Sequence, residues 1–135
     1  MITGLSHVSI VVPSLESAAG ELEKKYGLRI GPVLVNEQQG VRMTYVELPN
    51  AKIELMEPLR ADSPVGKFLQ RNPRGGIHHL SLRVDSVQAT VVALEHKGGR
   101  VLGDATQKNV HGARIAFVHP HDFLGALVEL EEQRD

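Results

Sequence analysis

The alternation of apolar and polar residues changes period several times along the chain, and the changes come twice in the same order. Residues 5–12 alternate every second position. That places Val8, Ile10 and Val12 on one face of a strand and His7, Ser9 and Val11 on the other. Pro13-Ser14 ends the strand, and Ser14 is suited to cap a helix running to about Tyr26, whose positions Leu15, Ala18, Ala19, Leu22 and Tyr26 follow helical spacing. Gly27 stops that helix. Strands are then expected at 28–35, 41–48 and 52–56, separated by the polar turn 36–40 and by Pro49-Asn50. Residues 57–74 carry Pro58, Pro64 and Pro73 and break the pattern; they read as a linker with a short helix at 65–71. The order then resumes. A strand at 77–84 precedes a helix capped by Ser86, with Val87, Val91 and Leu94 on its apolar side and Gly98-Gly99 at its end. Further strands are expected from 101, at 113–118 and at 126–130.

The repetition is also visible residue by residue. A shift of 72 positions carries His7 to His79, Ser9 to Ser81, Ser14 to Ser86, Leu15 to Val87, Ala19 to Val91, Leu22 to Leu94 and Gly27 to Gly99. The expected fold is therefore α+β, two tandem βαβββ modules (about 1–57 and 76–135, joined by 58–75) in a single domain of 135 residues. A module this small cannot bury its sheet alone, so the two should pack together.

The same symmetry collects candidate chemistry. Each module has one His in its first strand, and each has one Glu among aliphatic residues in its last, Glu54 and Glu129. Alone, His7 reads as a hydrogen-bonded strand histidine and Glu54 as a solvated strand residue. Their recurrence at matching places makes a shared site of two imidazoles and two carboxylates the better reading. Such a mixed nitrogen and oxygen set suits a divalent Co, Mn, Ni, Zn or Fe ion. His78 competes with His79, but its parity puts it with Leu80, Leu82 and Val84 on the face that a helix should cover, so His78 is structural. His96 and His121 read as surface residues, and His111 and His119 lie in loops where either could touch a substrate.

Composition narrows the function further. With a net charge of −1 and no basic block there is no electrostatic footprint for nucleic acid. The absence of cysteine excludes disulfides, thiolate zinc sites and a cysteine nucleophile. Aromatic residues make up 4% of the chain, which argues against a pocket built on stacking. No leader pattern or membrane-length apolar run is present, so a soluble cytoplasmic protein is expected.

With these residues in place, the chain resembles the methylmalonyl-CoA epimerase family of the vicinal-oxygen-chelate (glyoxalase-like) superfamily over essentially its full length. The matching stretches are Leu5-Ser6-His7-Val8, Glu37-Gln38-Gln39-Gly40-Val41, Lys52-Ile53-Glu54-Leu55-Met56-Glu57-Pro58-Leu59, Asp62-Ser63-Pro64-Val65-Gly66-Lys67-Phe68-Leu69, Gly76-Ile77-His78-His79-Leu80, Ala116-Phe117-Val118-His119-Pro120 and Val128-Glu129-Leu130. The His and Glu positions mark the superfamily; the Asp-Ser…Lys-Phe-Leu and Phe-Val-His-Pro stretches are more particular to the epimerases. The resemblance implies one curved mixed sheet around a central metal site, held by His7, Glu54, His79 and Glu129, with one divalent ion (Co, Mn, Ni or Zn) per chain. It implies a homodimer and an acyl-CoA substrate, epimerised by proton transfer next to the thioester through a metal-stabilised enolate. Glu129 is the family's usual base. Where some epimerases carry a Glu as second base, this chain has Met43, which leaves Glu54, Glu47 or water for that step. Glu at position 54, where some epimerases have Gln, is also the pattern of bacterial glyoxalase I. A glyoxalase I acting on a glutathione hemithioacetal is therefore the first alternative, and a non-catalytic binding protein of the bleomycin-resistance type the second. An extradiol dioxygenase fits less well, because its iron site uses two His and one carboxylate. Lys67, Arg71, Arg74, Lys108 and Arg114 are the cations available to CoA phosphates, and the loops 109–112 and 122–125 are expected over the cavity.

Overall fold

The computed structural model describes residues 1–103 and 107–133. Its elements in chain order are β1 (Ile2–Val11), α1 (Leu15–Tyr26), β2 (Leu34–Asn36), β3 (Val41–Glu47), β4 (Lys52–Pro58), α2 (Pro64–Arg71), β5 (Gly76–Val84), α3 (Val87–His96), β6 (Val101–Leu102), β7 (Ile115–Val118) and β8 (Val128–Glu132). A 3-10 turn covers Pro120–Asp122. The strands hydrogen-bond in the order β2-β3-β4-β1-β5-β8-β7-β6. The sheet is mixed: β5 and β8 run parallel, while β2/β3, β3/β4, β6/β7 and β7/β8 are antiparallel. This is the α+β arrangement of two βαβββ modules that the repeated pattern predicts. Among the described residues no helix is long and apolar enough to cross a membrane.

The chain forms two compact units, Met1–His7 with His79–Asp135, and Val8–His78. In the first, Val84, Val87, Val91, Ala116, Val118, Val128 and Leu130 form the core, with Leu82 and Leu94 packed against it. In the second, Leu15, Val46 and Leu55 pack with Ile10, Val12, Ala18 and Leu22, so α1 covers the face of β1 that alternation assigned to it. A second cluster there joins Val11, Val41, Met43, Met56 and Val65 with Phe68 and Leu69 of α2.

The helices capped by Ser14 and Ser86 start where the sequence placed them, and the middle helix starts at Pro64, one residue before the expected 65–71 and behind a Ser63 cap that the pattern had not singled out. Ser14, Ser63 and Ser86 each accept a backbone N–H three residues on, from Ser17, Gly66 and Ala89, at 3.2, 3.0 and 3.1 Å. Each cap contributes about 1 kcal/mol. A further device is duplicated. Glu57 accepts the Leu15 N–H at 3.3 Å, and Glu132 accepts the Val87 N–H at 2.9 Å. Each carboxylate lies three residues after the candidate ligand of its strand, Glu54 or Glu129. It satisfies an orphan donor and places negative charge at the positive end of its helix. Arg42 bridges Glu57 and Glu16 of α1, both at 2.6 Å, and its guanidinium holds the Glu16 carboxyl below its ordinary range.

Several boundaries differ from expectation, among them β1, which starts at Ile2, and β4, which runs on to Pro58; three others have a local cause. The strand expected at 28–35 is reduced to Leu34–Asn36 plus a lone bridge between Ile30 and Val46. Pro32 has no N–H to give a ladder. Gly31 is held instead by its own N–H to Tyr45 O (2.9 Å) and by the Thr44 hydroxyl on its carbonyl (2.7 Å). The strand expected from 113 begins at Ile115, because the Asn109 side chain takes the Ala113 N–H at 2.9 Å. The last strand starts at Val128, two residues late, after a turn in which Ala126 N–H reaches Phe123 O at 2.9 Å.

Gly75 sets the entry to β5. Its φ is +85°, and a Cβ there would run into the Val11 carbonyl oxygen. Gly75→Ala should therefore cost about 2–3 kcal/mol, the sum of left-handed strain and overpacking against backbone. In urea the unfolding midpoint should fall with the slope unchanged; an unaltered midpoint would contradict the steric argument.

Candidate metal centre

β1 carries His7, β5 carries His79 and β8 carries Glu129, and the first unit brings all three together. Parallel pairing sets Ser81 opposite Glu129. The Nε2 atom of His79 lies 3.0 Å from Glu129 Oε2, and Nε2 of His7 lies 3.7 Å from the same oxygen. The two imidazole centroids are 5.7 Å apart, edge to face, and the His79 ring also packs edge-on to Phe117 at 5.6 Å. His7, His79 and Glu129 are 3%, 5% and 5% exposed. A carboxylate withdrawn from water to this extent needs a charge or hydrogen-bond donors beside it. Two ring nitrogens close to one carboxylate oxygen form a mixed nitrogen and oxygen donor set of the kind that suits a divalent cation.

Behind His7 stands a residue that sequence reasoning missed. Glu131 Oε2 is 3.7 Å from His7 Nδ1, and ligand atoms of His7, Glu129 and Glu131 all lie within 4.8 Å of one another. Ser6 donates to Glu131 Oε1 at 3.1 Å and lies 3.1 Å from His7 Nδ1. The signal was present: Glu131 is two places from Glu129 and so on the same strand face.

Glu54 belongs to the second unit and is also buried, at 6% exposure. Both carboxylate oxygens are engaged, Oε1 by the Ser9 hydroxyl and Oε2 by the Tyr45 hydroxyl, each at 2.6 Å. Tyr45 is opposite Glu54 in the β3/β4 register. That contact too was derivable, since a turn centred between Pro49 and Asn50 pairs positions that sum to 99. Met43 is buried, with the Tyr45 hydroxyl 3.8 Å from its sulfur. Glu47 is exposed at the end of β3, 3.6 Å from Lys52. It does not join the buried carboxylates.

The model of the Glyoxalase/Bleomycin resistance protein/Dioxygenase superfamily matches residues 6–117. The chain is 44% identical to the ethylmalonyl-CoA/methylmalonyl-CoA epimerase of Cereibacter sphaeroides, over 98% of this chain and 99% of that protein. The chain belongs to the methylmalonyl-CoA epimerase family of this superfamily. It is 41% identical to the human mitochondrial methylmalonyl-CoA epimerase over 95% of its length, covering 73% of that protein. It also matches a variant of Streptomyces coelicolor methylmalonyl-CoA epimerase, solved in complex with 2-nitronate-propionyl-CoA, with a TM-score of 0.93 and 33% identity over all of both chains. Epimerases are isomerases, the enzyme class that the sequence motifs implied.

The remaining histidines lie apart from this group. His78 is half-buried and packs edge-on to Phe68 at 5.1 Å. His96 and His121 are exposed. His119 spends Nδ1 on the His121 N–H at 3.0 Å, which caps the 3-10 turn. His111 is exposed, its N–H held by Asn109 at 3.0 Å. Lys67, Arg71, Arg74, Lys108 and Arg114 are exposed.

Proposed function

We propose that this chain is a metal-dependent epimerase that interconverts (2R)- and (2S)-methylmalonyl-CoA by moving the proton on the carbon between carboxylate and thioester. The observation that carries the reading is the meeting of His7 Nε2 and His79 Nε2 at one buried oxygen of Glu129, 3.7 and 3.0 Å away. The names of the matched relatives support it.

The ligands are His7, Glu54, His79 and Glu129, holding one divalent ion (Co, Mn, Ni or Zn) per chain. Glu54 is included because it occupies in β4 the place of Glu129 in β8, is as deeply buried, and is locked in orientation by Ser9 and Tyr45. A divalent cation bound there supplies Lewis-acid stabilisation of the charge that grows on the thioester oxygen as the proton leaves. Glu129 is the base. Its Oε2 faces the two imidazoles, and its carboxylate takes the proton. Phe117, opposite Glu129 in register, closes the His79 side with an apolar ring that keeps water from the carboxylate. Inversion returns a proton to the other face of the carbon. Met43 cannot carry it and Glu47 is out in solvent, which leaves Glu54 or water; Glu54, buried with the Tyr45 hydroxyl 2.6 Å away, is assigned that step. The family resemblance adds a homodimer to the proposal, which light scattering on a sizing column would test.

The deciding experiment is incubation with methylmalonyl-CoA in deuterated water, with and without chelator. Deuterium should enter the carbon next to the thioester, chelator should abolish the uptake, and added metal should restore it. Absence of exchange, with turnover of a glutathione hemithioacetal instead, would replace this reading by a glyoxalase I.

A further inference from the structure

We infer that Ser6 and Glu131 act as positioning residues that hold His7 in the tautomer protonated on Nδ1, leaving Nε2 as its ligating atom. The role of Nε2 rests on the metal reading above; the tautomer does not.

The argument is a count of protons. The Glu131 carboxylate can only accept, and Ser6 has one hydroxyl proton. Ser6 Oγ stands 3.1 Å from Glu131 Oε1, so its proton goes there. Toward His7 Nδ1, also 3.1 Å away, Ser6 can then offer only a lone pair. Nδ1 must carry the hydrogen. The second Glu131 oxygen, 3.7 Å from Nδ1, favours the same assignment. Glu131 is itself steered. Asn109 donates from Nδ2 to Glu131 Oε2 at 3.5 Å, while its Oδ1 accepts the N–H groups of His111 and Ala113 at 3.0 and 2.9 Å. Those two backbone donors fix which end of the amide faces Glu131. The line runs from the 109–113 loop through Asn109, Glu131 and Ser6 to His7. Holding the far nitrogen of a ligating imidazole in this way fixes ring orientation and raises ligand strength.

The duplication does not explain this arrangement. The positions equivalent to Ser6 and Glu131 in the other module are His78 and Met56, at the same offsets of 72 and 75. Neither equivalent position holds a serine or a carboxylate, so the Ser6–Glu131 pair is not a by-product of the repeat.

The test is nitrogen-15 NMR of the metal-free chain labelled in histidine, at a pH where the imidazoles are neutral, with His7→Asn used to identify the signal. His7 should show a protonated Nδ1 and an unprotonated Nε2. Ser6→Ala should move the population toward the other tautomer, and Ser6→Thr should restore it. Affinity for Co2+ or Zn2+, measured by chelator competition, should fall about 10–100-fold in Ser6→Ala and in Glu131→Gln. A His7 protonated on Nε2 in the unaltered chain would overturn the inference. So would a Ser6→Ala chain with unchanged tautomer and metal affinity. A chain with the expected tautomer that does not exchange deuterium into methylmalonyl-CoA would uphold it and remove only the proposed reaction.

Discussion

Glu129→Gln should lower deuterium exchange into methylmalonyl-CoA by about 10³-fold, within the range expected when a positioned general base is lost. The amide is nearly isosteric, so β8 should keep its pairing with β5 and β7 and the chain should stay folded. What disappears is an oxygen able to take a proton and one unit of buried negative charge. His79 Nε2, 3.0 Å from Oε2, would face a neutral group. Circular dichroism and the thermal midpoint check the fold, and the exchange rate checks the chemistry. A well-folded variant that still exchanges at the original rate would remove Glu129 from the mechanism.

The second large effect is expected from His79→Ala set against His78→Ala. Structural zinc sites bind with roughly 10–16 kcal/mol. Shared over four ligands, that makes loss of one imidazole worth about 100-fold or more in metal affinity. His79→Ala should also destabilise the metal-free chain by about 2–4 kcal/mol. It removes a buried ring packed on Phe117 and takes a partner from the buried carboxylate of Glu129. His78→Ala removes an adjacent ring that touches Phe68 instead. It should leave metal affinity within about twofold, at a smaller cost in stability. Equal loss of metal binding in both variants would mean that parity had been assigned to the wrong face.

The contrast between neighbours shows what a linear pattern can carry. Side chains in a strand alternate strictly, so knowing which face a helix covers decides between His78 and His79. The repeat then supplied His7 and the two carboxylates. The starts capped by Ser14 and Ser86 were equally legible, because a serine cap acts on a donor three residues away and needs no distant partner. These features are local, or they are local features met twice.

Long-range pairing decided the rest. That Oε2 of Glu129 meets both His79 and His7 depends on β8 lying parallel beside β5, a partnership between segments about fifty residues apart that neither segment announces. The Tyr45 hydroxyl reaches Glu54 because the β3/β4 register sets them opposite. Glu131 meets Ser6, the neighbour of His7, across 125 positions of chain. The segment at 28–35 had enough apolar residues for a strand, yet Pro32 and the hold on Gly31 left only its last residues in the sheet. Alternation and repetition are properties of the chain, so strand faces and the recurrence of His and Glu at matching places could be read without coordinates. Only the tertiary structure decided which atoms meet. A hydrogen bond is won or lost over tenths of an ångström, and those distances are set by strand register and packing between residues far apart in the chain.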